Sequence, residues 1–330
     1  MPSVDAIDRR FSMRLIVLVP ARRGLAADKT TRQGVLARWW ARSDRLPTAH
    51  GDSFTLLQNC FALPGSSIPV AALTRELDGY PADDAIWLRA DPAHVRADMI
   101  SARMLACGDL GLSREESDEL LGELKLPFAE QGLRIEAGTP ARWYVCCANE
   151  IDLPDFAPPE VALGDDLRKH LPEGHAGKRW RMLLNEAQII LHNHSLNASR
   201  VARGRPAVNS VWFWGAGRRP DWVRSDIAAA ISEDPLVQAL ALGAGVPCSG
   251  MADRFDASGI CNTAKTGSFL LDLRRLTGLD LEQGWLVPID AALRSRRVRR
   301  VDVLFQSGER CQVNPRNGWF FWRAIRPLDT

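Results

Sequence analysis

The chain has 330 residues, a formal net charge of +2, 46% hydrophobic residues and 25% charged residues. These proportions suit a soluble globular protein of one large domain or two intimate ones and exclude a disordered or fibrous chain; the near-neutral balance gives no reason to expect a membrane or polyanionic partner. Seven cysteines are an odd number, and no C-x-x-C occurs, so we read reduced thiols and a cytoplasmic setting rather than a disulfide framework.

Residues 1–12 read as an unstructured extension, with Met13 as an alternative start. Arg14–Val19 (RLIVLV) is a continuous apolar run and reads as a buried strand of a mainly parallel sheet. It is too short for the core of a signal peptide, and no apolar run approaches the roughly 18 residues of a membrane helix. Val70–Leu77 reads as a helix, Ala85–Asp91 as a strand with Arg89 near its end, and His94–Ala106 as a second helix. Ser113–Glu116 (SREE) is a capping box that opens an acidic helix running to Lys125. Arg134–Ala137 and Arg142–Cys147 read as paired strands. From Ile151 to Pro172 the prolines at 154, 158, 159 and 172 forbid long elements, so a surface excursion with one short helix is expected.

Trp180, Leu183, Leu184, Ala187, Ile190 and Leu191 follow i, i+3, i+4, i+7 spacing, the core face of an amphipathic helix. That helix should end near His192–His194. A loop then carries Asn197, Gly204, Pro206 and Asn209 to a short strand, Ser210–Trp214. Gly215-Ala216-Gly217 reads as a turn whose N–H groups suit an anion, with Arg200, Arg203, Arg205, Arg218 and Arg219 around it. The plainer alternative is a loop of solvated arginines with a satisfied histidine pair. A metal at His192 and His194 would need further ligands.

Ser225–Ser232 and Asp234–Leu242 read as helices, the second with an Asp cap and a proline at its first position. Ala244–Gly250 reads as a short strand, and Phe269–Leu273 as a strand or helix start. Leu286–Arg294 leads into five arginines within residues 294–300. Such a run suits a phosphate backbone, but no aromatic platform interleaves it, so nucleic acid is not the expected partner. Val301–Phe305 and Arg310–Val313 read as a hairpin, and Trp319–Trp322 as a last aromatic strand.

The pattern His194, Asn197, Arg200, Gly204, Pro206-Ala207, Asn209 and Trp214-Gly215-Ala216-Gly217 resembles the signature of the archaeal-type, cofactor-independent phosphoglycerate mutases, members of the alkaline-phosphatase-like superfamily. Ser195 stands where that signature has proline. Trp87–Asp91 (WLRAD) is similar to a strand of the same family, and Gly245-Val246-Pro247 with Gly250-Met251 resembles another of its segments. With NEAQ…LHNH before the signature and a WFFWR tail, the chain also resembles the RpfE-type regulatory proteins, a bacterial offshoot of that family.

The resemblance implies an α/β fold. A mainly parallel sheet flanked by helices, an alkaline-phosphatase-like remnant, would be built from residues 13–80 and 220–330, and an inserted α+β substrate-like lobe from 81–219. It further implies a small phosphorylated or carboxylated ligand held by Arg89, His194, Asn197, Arg200, Asn209, Gly215 and Gly217. Arg89 paired with Asp91 or Asp98 is the structural alternative.

The family's catalysis requires a metal-binding aspartate after the first strand, a Ser or Thr nucleophile, and histidines and aspartates after the inserted lobe. Here the first strand runs into Pro20-Ala21-Arg22-Arg23, and all six histidines lie at or before His194. Thr30, Thr31, Ser53, Ser66 and Ser67 are the available hydroxyls, with Ser66 and Ser67 the nearest to a candidate nucleophile. A nucleophile without a base or metal is a poor catalyst. The expectation is therefore a regulatory protein without metal or cofactor. An active phosphoglycerate mutase, an isomerase using Mn or Mg, is the first alternative. A protein-interaction module using the 294–300 arginines is the second.

Overall fold

A computed structural model describes residues 12–48, 53–97, 101–147, 151–256, 266–319 and 328. The strand expected at Trp319–Trp322, the N-terminal extension and Asp98 lie outside the described residues, apart from Ser12 and Trp319. The chain divides into two compact units, Met1–Pro64 with Asp221–Thr330, and Gly65–Pro220. The boundary falls at Pro64 rather than after Tyr80, because the helix Val70–Leu77 packs on strands of the second unit. Among the described residues the strands are β1 (Ser12–Val19), β2 (Asp44–Leu46), β3 (Ile86–Ala97), β4 (Ala102–Cys107), β5 (Arg134–Thr139), β6 (Arg142–Cys147), β7 (Ser210–Arg218), β8 (Ile227–Ile231), β9 (Cys248–Ser249), β10 (Thr266–Asp272), β11 (Val298–Phe305) and β12 (Arg310–Val313).

The first unit is an α/β sheet in the order β2-β12-β11-β1-β10-β8-β9. Pairing is parallel from β11 through β1, β10 and β8 to β9; only β12 and β2 run antiparallel at one edge. The apolar run of β1 explains its central place. Leu15, Val17 and Val19 enter one core, while Ile16 and Leu18 are buried on the other face. A strand covered on both sides loses its polar alternation. The helices Val35–Arg42 and Val287–Arg294 contribute Trp39, Trp40, Ile289 and Leu293 to the core shared with β1, β11 and β12.

The second unit is an antiparallel sheet with helices, an α+β arrangement. The long β3 pairs with β6 and then β4 along one side and with β7 along the other. The helices Arg114–Glu130 and Gly174–His192 bury Leu120, Leu121, Leu124, Trp180, Leu183 and Leu184 in one core with Trp143, Val145, Val211 and Phe213. The capping box opens the first of these helices as expected: Ser113 Oγ accepts from Glu116 N and Glu116 Oε2 accepts from Ser113 N. The Asp234 cap, the β5–β6 pair and the β11–β12 hairpin also form where expected.

Four local expectations are corrected. Residues 94–97 lie in β3 and residues 102–106 in β4, not in a helix. Residues 227–231 form β8 between β10 and β9. Both segments are rich in alanine or arginine, good helix formers, and sheet pairing overrides that preference. After His194 the chain forms the helix Ser195–Ala202, with His194 as its cap, instead of a loop. The strand expected to stop at Trp214 continues to Arg218 through the G-A-G segment.

Candidate functional site

The signature residues lie together in the second unit, but their polar atoms face inward. Arg200 is fully buried. Its Nη1 donates to Glu116 Oε2 (2.6 Å), its Nη2 to the Leu110 carbonyl (2.6 Å) and its Nε to the Pro206 carbonyl (3.1 Å). Asn197 Nδ2 donates to the carbonyls of Leu191 and Val208, and its Oδ1 accepts from Val208 N. That amide clips the end of one helix to the approach of β7. Asn209 makes the same two-way exchange with Val95: Oδ1 accepts from its N–H (2.8 Å) and Nδ2 donates to its carbonyl (2.7 Å). His94 Nδ1 lies 2.9 Å from the Ala207 carbonyl. His194 caps the helix Ser195–Ala202, its Nδ1 accepting from Leu196 N at 3.2 Å.

The two glycines serve packing. Across β3 and β7, Trp87 pairs with Gly217 and Arg89 with Trp214, so Leu88 faces two residues of β7. This is a bulge, and Gly215 takes the left-handed φ of +65° that a bulge of this kind asks of glycine. A Cβ on Gly215 would lie 2.8 Å from Val70 Cβ, and one on Gly217 would lie 2.5 Å from Pro69 Cβ. The missing side chains let the Pro69–Val70 entry of the next helix sit against the strand.

Arg89 is also internal. Nε and Nη2 each donate to Asp91 at 2.8 Å, Nη1 donates to Thr74 Oγ1, and the guanidinium stacks near the Tyr144 and Trp214 rings. Trp214 Nε1 donates to the same Asp91 carboxylate. Burial raises the Asp91 carboxyl above its ordinary value, against the pull of Arg89 and the indole. Arg89, Asn197, Arg200 and Asn209, expected to hold a ligand, thus each donate hydrogen bonds to groups within the protein. His194, Gly215 and Gly217 likewise serve capping and packing.

The edge of the parallel sheet where strands end is the other candidate site, since ligands of such sheets gather there. β10 ends at Asp272. Arg274 Nε donates to Asp272 Oδ1 (2.7 Å), and its Nη2 donates to Asp272 Oδ2 (2.7 Å) and Asp234 Oδ2 (2.8 Å). Ser232 Oγ donates to Asp272 Oδ2 at 2.8 Å. Burial would raise the Asp272 carboxyl, but the hydrogen bonds and charge of Arg274 prevail and hold it below its ordinary value. Beyond β1, Arg22 Nε pairs with Glu309 at 2.9 Å. Each of these carboxylates already has an arginine, and no group of three His, Cys, Asp or Glu side chains suited to a metal occurs among the described residues. This donor set does not fit a dinuclear transition-metal site, which needs several free anionic or imidazole ligands on each ion. Ser66 and Ser67 are exposed in the loop before Val70–Leu77.

Arg274 was not singled out from the sequence. Its signal was available: an Arg two residues from an Asp in a strand context shares a face with it, as Arg89-x-Asp91 and Arg300-x-Asp302 also do.

In sequence the chain is 24% identical over 205 residues to the 2,3-bisphosphoglycerate-independent phosphoglycerate mutase of Methanosarcina mazei, covering 59% of this chain and 51% of that protein. The chain is phosphoglycerate mutase-like. A second mutase of that name, from Methanothrix thermoacetophila, is 30% identical over 178 residues, covering 52% of this mutase-like chain and 43% of the relative. The chain thus spans about half the length of the curated relatives it matches. No protein-family model matches it. The solved cofactor-independent phosphoglycerate mutase of Thermoplasma acidophilum aligns over 92% of this chain and 90% of that one, with 16% identity and a TM-score of 0.42. The α/β class of the mutase-like chain follows from its own strand order and pairing.

Proposed function

We propose that this chain is a mutase-like regulatory protein of the RpfE type, silent in phosphoglycerate mutation. One observation carries the proposal: Arg274 occupies the centre of the Asp272–Asp234 pair at the sheet edge. A guanidinium supplies fixed positive charge there, but it has no open coordination position at which to bind and activate an oxygen nucleophile as a metal ion does. The signature of the inserted unit supports the same conclusion, because its polar residues hold helices and strands together. The active mutase, the first alternative, would need an activated hydroxyl. The arginine run as a protein-interaction module gains no specific contact in its favour. Burial pushes the Cys60 and Cys311 thiols up to about 12, so both stay protonated and neither is a candidate nucleophile. Incubating the purified chain with 3-phosphoglycerate and added Mn²⁺ or Mg²⁺, with formation of 2-phosphoglycerate followed, tests the proposal. No product above the protein-free blank is expected. Turnover at a rate typical of enzymes, upwards of about one per second, would overturn it.

A further inference from the structure

The arginine run finds a use in a cavity of the first unit. A polar cavity of about 490 Å³ lies between the helices Val35–Arg42 and Val287–Arg294 and the end of β12. Arg38, Arg42, Arg294 and Arg296 line it, and Asp290 is the one carboxylate among its lining residues. That carboxylate is fully engaged: Trp39 Nε1 donates to Oδ1 (2.8 Å), and Arg38 (2.8 Å) and Arg294 (2.7 Å) pair with Oδ2. Among the lining residues four guanidinium groups thus stand against one carboxylate, and that carboxylate is already hydrogen-bonded on both oxygens. Arg42 and Arg294 sit in the last turns of their helices, where a cation complements the helix dipole. That accounts for those two, and the Asp290 pair accounts for Arg38, but neither accounts for Arg296 beyond the helix end.

Arg296 adds an independent observation. It has a φ of +60°, the left-handed conformation that follows a helix end and is ordinarily given to glycine or asparagine. An arginine held there keeps an exposed guanidinium at the cavity at a cost in backbone strain, and such outliers gather at ligand clamps. The neighbouring Arg297 and Arg299 do not line the cavity. The location is also informative. β11 starts at Val298 and β12 ends at Val313, which pairs near that start. The cavity thus lies at the opposite edge of the sheet from Arg274 and does not depend on the fate of the metal site.

We propose that this cavity binds a small phosphorylated metabolite carrying one or two phosphate groups. Guanidinium forks match phosphate oxygens in bidentate geometry, and the excess charge matches a phosphomonoester dianion or a diphosphate. The volume exceeds that of phosphate alone and falls in the range of small-molecule sites. The test is calorimetric titration of the full chain with pyrophosphate, at fixed ionic strength near about 0.15 M so that diffuse attraction is screened. Saturable binding at one site is expected, at least tenfold weaker in Arg296→Gln and in Arg294→Gln. Both side chains are exposed, so both variants should keep the wild-type circular dichroism spectrum. Arg299→Gln removes the same charge outside the cavity and should leave the affinity within twofold. Failure of pyrophosphate to saturate the protein would overturn the proposal, as would equal weakening in all three variants, which would mark a general basic surface for a macromolecular polyanion.

Discussion

Arg200 and Arg274 show how far the identity of a residue is from its use. Both are arginines beside carboxylates, and both are spent on the protein's own oxygens. Replacing Arg200 by alanine strips a buried guanidinium from Glu116 and from two carbonyls, so a loss of about 3–5 kcal/mol is expected, the usual consequence of breaking a buried ion pair. Urea unfolding followed by tryptophan fluorescence measures it; a loss below about 1 kcal/mol would mean that Arg200 is not a scaffold residue. Asp272 makes a prediction in pH. Its carboxyl is held below the ordinary range in the folded protein, so its stabilisation is complete above the unfolded value near about 4 and is lost as acid titrates the folded group. The stability gap between wild type and Asp272→Asn should be widest at neutral pH and shrink on acidification below that value. A gap that widens in acid would contradict the Arg274 pairing. Sequence disclosed the composition of these clusters better than their direction. The spacing of Asn197, Arg200 and Asn209 located a special segment, but only the packed chain shows whether a donor faces a cavity or a carbonyl.

At the scale of elements, the apolar run of β1, the helix Val70–Leu77 and the capping box at Ser113 were legible because each rests on local chemistry. Sheet neighbours decided the rest. The alanines of β8 are helix formers in isolation, and only their pairing with β10 makes them a strand. The G-A-G segment carries a turn-like composition, yet it is a bulge within β7, since β3 supplies partners on both sides of it. Gly215→Ala should therefore destabilise by more than the roughly 1–2 kcal/mol of a left-handed alanine, because the new Cβ also meets Val70. Thermal unfolding reads this out, and a neutral Gly215→Ala would argue against the bulge. Ser113→Ala should cost about 1 kcal/mol, the ordinary value of a helix cap, measured in the same way.

For the whole molecule, two kinds of evidence have to be held together. The chain is similar in sequence to phosphoglycerate mutases over about half of their length, and Asn197, Arg200 and Asn209 of its second unit hold its own helices and strands together. Its parallel sheet ends in two carboxylates, Asp272 and Asp234, that share one arginine. The absence of histidines after His194 was readable in the sequence; the guanidinium among the acids was not, because Asp234 and Arg274 meet only across the sheet. Metal content and Mn²⁺ affinity of the purified full chain test this claim most directly. Elemental analysis should find no stoichiometric transition metal, and calorimetric titration with Mn²⁺ should show no saturable binding at micromolar concentrations. Two tightly held ions per chain would contradict the account.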